Sequence, residues 1–119
     1  MSALAHQIAH EVRINWPGYN ERLITTTLHP IGTTYPRTPG VYIFTAEAGD
    51  GRWLPIYVGE CDDLHHRLTL MLRHHQQWRS IIHAGATHIC SLHVRGGKAV
   101  RLAIETELRR TLEPPCNLQ

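Results

Sequence analysis

Five side chains recur at spacings that would let them work at one place. Tyr42 and Tyr57 each lie in a short apolar run, Gly40-Val41-Tyr42-Ile43-Phe44 and Pro55-Ile56-Tyr57-Val58-Gly59. Arg67 follows the second tyrosine by ten residues, and Glu105 precedes Asn117 by twelve. A guanidinium is planar, always charged and bidentate, which suits it to phosphate oxygens. A lone phenol is a poor base at neutral pH, but a neighbouring cation favours its phenolate. Together with Arg67 the tyrosines can therefore position or deprotonate a water. A helical glutamate offers the oxygen that a hard divalent cation prefers. Arg101 and Arg109, four residues either side of Glu105, offer it ordinary ion pairs instead, and Glu107 is a rival carboxylate. His74 lies seven residues after Arg67, two turns along the same helical side, as a proton acceptor or phosphate contact. The plain alternative for His74 is an exposed surface histidine.

Gly40-Val41-Tyr42 and Tyr57-Val58-Gly59, followed in order by Arg67, Glu105 and Pro114-Pro115-Cys116-Asn117, resemble the pattern of the GIY-YIG nuclease family, with valine replacing isoleucine in each half-motif. The resemblance runs from Pro39 to Asn117. It implies a metal-dependent endonuclease that hydrolyses DNA phosphodiester bonds with a single divalent cation, Mg2+ or Mn2+. It further implies that Arg67 binds the scissile phosphate, that Glu105 holds the metal, and that Asn117 supports the metal site or touches phosphate. One departure stands out. Some relatives carry a histidine four residues after the arginine, where this chain has Met71. That leaves the general base open between the tyrosines and His74. DNA is the expected partner, and its choice would come from this domain, a homodimer or a specificity partner. The alternative is a catalytically inactive nucleic-acid-binding or protein-interaction module of the same fold, against which the intact Tyr57, Arg67 and Glu105 count.

These residues need elements to carry them. Val41–Ala46 and Ile56–Glu60 alternate as a strand pair around a Gly49-Asp50-Gly51 turn. Their aliphatic side, Val41, Ile43, Ile56 and Val58, would face one core, which puts Tyr42 and Tyr57 together on the other side. Asp62 or Asp63 caps a helix running from Asp63 to about Ala84, broken near His74–Gln77. Thr87–Val94 alternates as a third strand. Lys98–Leu112 is a helix with Val100, Ile104, Leu108 and Leu112 as its buried stripe, stopped by Pro114-Pro115. Ahead of these, Ser2–Arg13 spaces Leu4, Ile8 and Val12 as an amphipathic helix, Trp16–Tyr19 turns, Arg22–Leu28 is extended, and residues 30–40 are irregular. The expectation is an α+β fold: a three-stranded antiparallel sheet flanked by helices (residues 39–119), preceded by an N-terminal helical extension (residues 1–38).

Composition bounds the alternatives. A chain of 119 residues makes one domain with a modest core. Net charge is only +2, but His65, His66, Arg67, Arg73, His74, His75 and Arg79 gather within fifteen residues as a local basic surface. Cys61, Cys90 and Cys116 are odd in number and far apart, which argues against a disulfide framework and for a reducing cytosol. Cys61, His65, Cys90 and His93 lack zinc-ligand spacing. No apolar run approaches the ~20 residues that span a bilayer, and no signal-peptide pattern opens the chain. No Walker loop, dinucleotide fingerprint or Cys/His nucleophile pair points to a metabolic enzyme.

Overall fold

The computed structural model describes residues 11–117. Five strands, β1 (Val12–Pro17), β2 (Leu23–Pro30), β3 (Gly40–Glu47), β4 (Trp53–Cys61) and β5 (His88–His93), form one antiparallel sheet in the order β1-β2-β5-β3-β4. The sheet therefore has five strands, not the expected three. Most of the expected N-terminal helix lies outside the described residues, but Val12 and Arg13 at its end belong to β1. The reason is a period-2 pattern that overrides the four-residue spacing. Ile14 and Trp16 pack inward while Arg13 and Asn15 point out, and the strand finds a hairpin partner in β2, whose Ile24 and Thr26 are buried. Trp16 and Pro17 extend this strand, so the turn begins at Gly18 rather than Trp16.

β3 is the axis of the molecule. Its residues Gly40 to Thr45 are buried, because β4 and β5 flank it and both of its faces are covered. On one face Val41, Ile43, Val58, Cys90 and Leu108 form an apolar cluster with Trp16 and Ile24. On the other, Tyr42, Phe44, Leu64, Leu68, Ile81 and Ile89 form a second cluster. Ile56 was expected with Val58, and it sits in the second cluster instead. The register shifts between Phe44↔Tyr57 and Thr45↔Pro55, so Ile56 has no partner of its own and the bulge turns it over. Pro55 cannot donate to the ladder, and the sheet's outer strand accommodates it there.

Helical turns begin at Leu64. His66 N–H is capped by Asp63 Oδ1 at 3.1 Å, and Arg37 pairs with that carboxylate at 2.9 Å. The turn His66–Leu70 is wound as a π-helix, with Met71 N–H reaching back to His66 C=O. The expected break follows: a single 3-10 turn at Leu72–His74, then α1 (Trp78–His83). The second long helix, α2 (Lys98–Leu112), packs on β4 and the apolar face, ending with Glu113 in the left-handed region before Pro114. Leu108 is buried and Ile104 and Leu112 are partly so, but Val100 is 41% exposed. Arg101 turns inward in its place and pairs with Glu60 at 2.9 Å. Among the described residues no helix is long and apolar enough to cross a membrane, and all three cysteines are free and buried.

Candidate active site

The two tyrosines meet because β3 and β4 are neighbours in register. Tyr42 lies opposite Gly59 and Phe44 opposite Tyr57, which brings the tyrosine rings to 6.3 Å between centroids. Gly59 is required by this arrangement. The Tyr42 phenol lies across its Cα, and any Cβ there would overlap the ring and hydroxyl. Gly40 is required likewise, since a Cβ would stand 2.5 Å from the Leu92 carbonyl oxygen on β5. The glycines of both half-motifs are therefore contact glycines, there for close approach.

Arg67 reaches the tyrosines from the π-wound turn, a helix irregularity that recurs at functional sites. Its Nη1 donates to Tyr42 Oη at 3.2 Å. Tyr42 is fully buried. Burial drives its phenol well above the ordinary tyrosine range, and the Arg67 charge opposes that rise. Tyr57 is half-buried. Its phenol is raised by burial first and by the Glu105 carboxylate second, with Arg67 and Arg109 pulling the other way. Glu105 thus acts electrostatically on Tyr57 although it stands on α2, which packs on β4. Burial lifts the Glu105 carboxyl above the usual range, Arg109 lowers it and Glu60 adds to the rise.

Solved structures of the GIY-YIG N-terminal endonuclease domain of UvrC from Thermotoga maritima are similar to this chain in fold. Two of them, tyrosine-to-phenylalanine point mutants bound to the catalytic divalent cation, superpose with TM-scores of 0.56 and 0.55 at 25% identity. They cover 69% and 71% of this chain and 85% and 87% of theirs. This chain has the fold of a GIY-YIG endonuclease domain. The likeness supports a nuclease-type hydrolase. No family profile and no curated protein matches the chain.

The remaining candidates separate. Glu107 does not face the tyrosines. It is buried, accepts from Tyr19 N–H at 2.7 Å and pairs with Arg22 at 3.5 Å, so it fastens the β1–β2 turn to α2. The competing ion pairs of Glu105 are weak or absent: Arg109 stands 4.0 Å away and half-exposed, and Arg101 is occupied by Glu60. Asn117 spends its carboxamide on the main chain of β4. Val58 N–H donates to its Oδ1 at 2.7 Å, and its Nδ2 donates to Val58 C=O at 2.9 Å. It continues the sheet by one residue and satisfies an edge that would otherwise face outward unpaired.

His74 is exposed on the rim of a cleft that also contains His66, Arg67, Met71, His75 and Gln76. The histidine in the cluster is His75. It is only 8% exposed, and its Nε2 lies 2.9 Å from Tyr42 Oη. Its ring stands edge-on to Tyr42, Tyr57 and Phe44. Burial, aided by Arg67, holds its imidazole down at about 4. Sequence reasoning passed it over because a continuous helix puts position 74 on the Arg67 side. The break at His74–Gln77 moves that direction by one residue, and the break itself was the available signal.

Proposed function

We propose that this protein is a metal-dependent endonuclease that hydrolyses phosphodiester bonds of DNA with Tyr57, Arg67 and Glu105. The observation that carries the reading is the convergence of Arg67 with the two tyrosines, with the Glu105 charge acting on Tyr57, on a fold shared with a cation-bound endonuclease domain. Glu105 suits a divalent cation. Its side chain is 16% exposed, its nearest cation is a loose 4.0 Å contact, and burial makes its own charge costly until a cation balances it. A hard ion such as Mg2+ or Mn2+ takes carboxylate oxygen and keeps several waters, so one protein carboxylate suffices to hold it. When bound, that ion supplies Lewis-acid stabilisation of charge on the phosphate.

The chain's own residues divide the rest. Arg67 holds phosphate oxygens through its free guanidinium edge. Tyr57, half-buried beside Tyr42, orients the attacking water. Tyr42, fully buried behind it, fixes Arg67 from the rear. His66 and His74 border the cleft beside Arg67 as contacts for the backbone of the nucleic acid. The test is incubation of the purified protein with plasmid and with branched, nicked and RNA substrates, in Mg2+, in Mn2+ and in excess chelator. Cleavage should require the cation. Full activity in chelator would sink the mechanism, and binding without cleavage under every metal condition would replace it with an inactive binding module.

A further inference from the structure

His75 has two hydrogen-bond partners, and together they determine which of its nitrogens carries the proton. Its Nδ1 lies 3.0 Å from the main-chain N–H of Gln77. A main-chain amide nitrogen can only donate, so Nδ1 must present its lone pair. A neutral imidazole carries one proton, which is then on Nε2. Nε2 faces Tyr42 Oη at 2.9 Å. The bond therefore runs from His75 Nε2–H to the phenol oxygen. Arg67 Nη1 donates to that same oxygen at 3.2 Å. Tyr42 Oη accepts twice, and its own proton has no acceptor among the described residues.

This geometry excludes the role that a histidine beside a tyrosine most readily suggests. To take a proton from Tyr42, Nε2 would have to give up the one it holds, leaving both nitrogens bare. To take one on Nδ1, the ring would have to break the Gln77 bond inside an aromatic enclosure of Phe44, Tyr42 and Tyr57. We propose that His75 is a positioning residue that holds Tyr42 through an Nε2–H donor locked by the Gln77 main chain, and that it is not the proton acceptor of the reaction. Two donors aimed at one buried phenol oxygen stabilise negative charge there and fix Arg67 relative to β3. The proposal rests on the nuclease reading for its kinetic consequences and on hydrogen-bond geometry alone for the tautomer.

Two measurements decide it. Long-range 1H–15N correlation on the 15N-labelled protein at pH 7 should show His75 neutral, with Nε2 protonated and Nδ1 bare. In kinetics, His75→Gln, whose amide can still donate toward Tyr42, should keep kcat within about ten-fold of wild type. His75→Leu should lower kcat about a hundred-fold at unchanged KM, the scale for deleting one preorganised donor. A purely structural histidine in this aromatic setting would rank leucine level with or above glutamine, and that ranking overturns the proposal. A protein that cuts but carries its His75 proton on Nδ1 overturns this inference and leaves the nuclease reading intact. A protein that cuts no substrate with any divalent cation overturns the nuclease reading and, with it, the role of His75 in the reaction.

Discussion

The two faces of the sheet are built from the same strands and do different work. Toward α2, Val41, Ile43, Val58 and Leu108 are all essentially unexposed, and the buried polar atoms beside them are matched: Trp16 Nε1 donates to Thr26 Oγ1, and Thr26 donates to the Ile14 carbonyl. Toward the π-wound turn, the cluster includes three phenols, and an imidazole and a guanidinium bond to one of them. The three buried side-chain polar atoms without a partner among the described residues, on His29, Tyr35 and Thr38, lie around Tyr35 of this second cluster or along the loop that carries it. One face lowers free energy by burying hydrocarbon. The other forgoes part of that gain to hold charged and polar groups in fixed positions.

The sharpest way to test this contrast is to alter the candidate site without touching either core cluster, at Glu105 on the flank of α2. Glu105→Gln keeps shape and removes the charge that would hold a cation. Activity should fall about a thousand-fold, or about 4 kcal/mol on the barrier, with thermal midpoint unchanged and DNA binding retained. Normal cutting would remove Glu105 from the mechanism. The mirror experiment is Ile43→Ala on the apolar face. Leaving a cavity at a fully buried site should cost about 3 kcal/mol by denaturant titration, with kcat of the folded fraction preserved. A large kcat loss would show that the faces are not separable.

The pH dependence of stability sharpens the comparison further. The folded state holds the His75 imidazole at about 4 against an ordinary 6.5, because burial and Arg67 disfavour its charged form. Between those values the unfolded chain binds more protons, so stability is full above about 6.5 and declines as pH falls toward 4. The contribution is at most about 3 kcal/mol. Denaturant midpoints across that range should show the slope, and His75→Gln should flatten it. An unchanged slope in the variant would mean another group titrates. The smallest expected effect is at Glu107, whose carboxylate fastens the β1–β2 turn. Glu107→Gln should cost about 1–2 kcal/mol of stability through its lost charge-assisted bonds to Tyr19 N–H and Arg22, with cleavage rate unaltered. A rate loss there in place of Glu105 would reverse the assignment of the two glutamates.

Much of the site was legible because it rests on local rules. Alternation put Tyr42 and Tyr57 on one side of a strand pair, and ten residues from the second tyrosine placed Arg67 on the next turn. Ile56 was misread because a bulge is set by how two strands meet, and alternation along one strand contains no trace of it. Asn117 and Glu107 illustrate a second limit. Both are polar residues at plausible spacings, and their partners, Val58 and Tyr19, are 59 and 88 residues away.

The sequence by itself determined the elements whose stabilising interactions are short in range: the β3–β4 pair, the broken helical stretch after Asp63, and α2 with its proline stop. It also determined the chemical types available for catalysis. Only tertiary structure decided that β1 and β2 extend the sheet through β5, that Glu105 rather than Glu107 shares the field of the tyrosines, and that His75 rather than His74 touches Tyr42. The physical reason is common to all three. A period along the chain states which residues share a side, but which side is buried, and against what, depends on packing free energy between segments far apart in sequence.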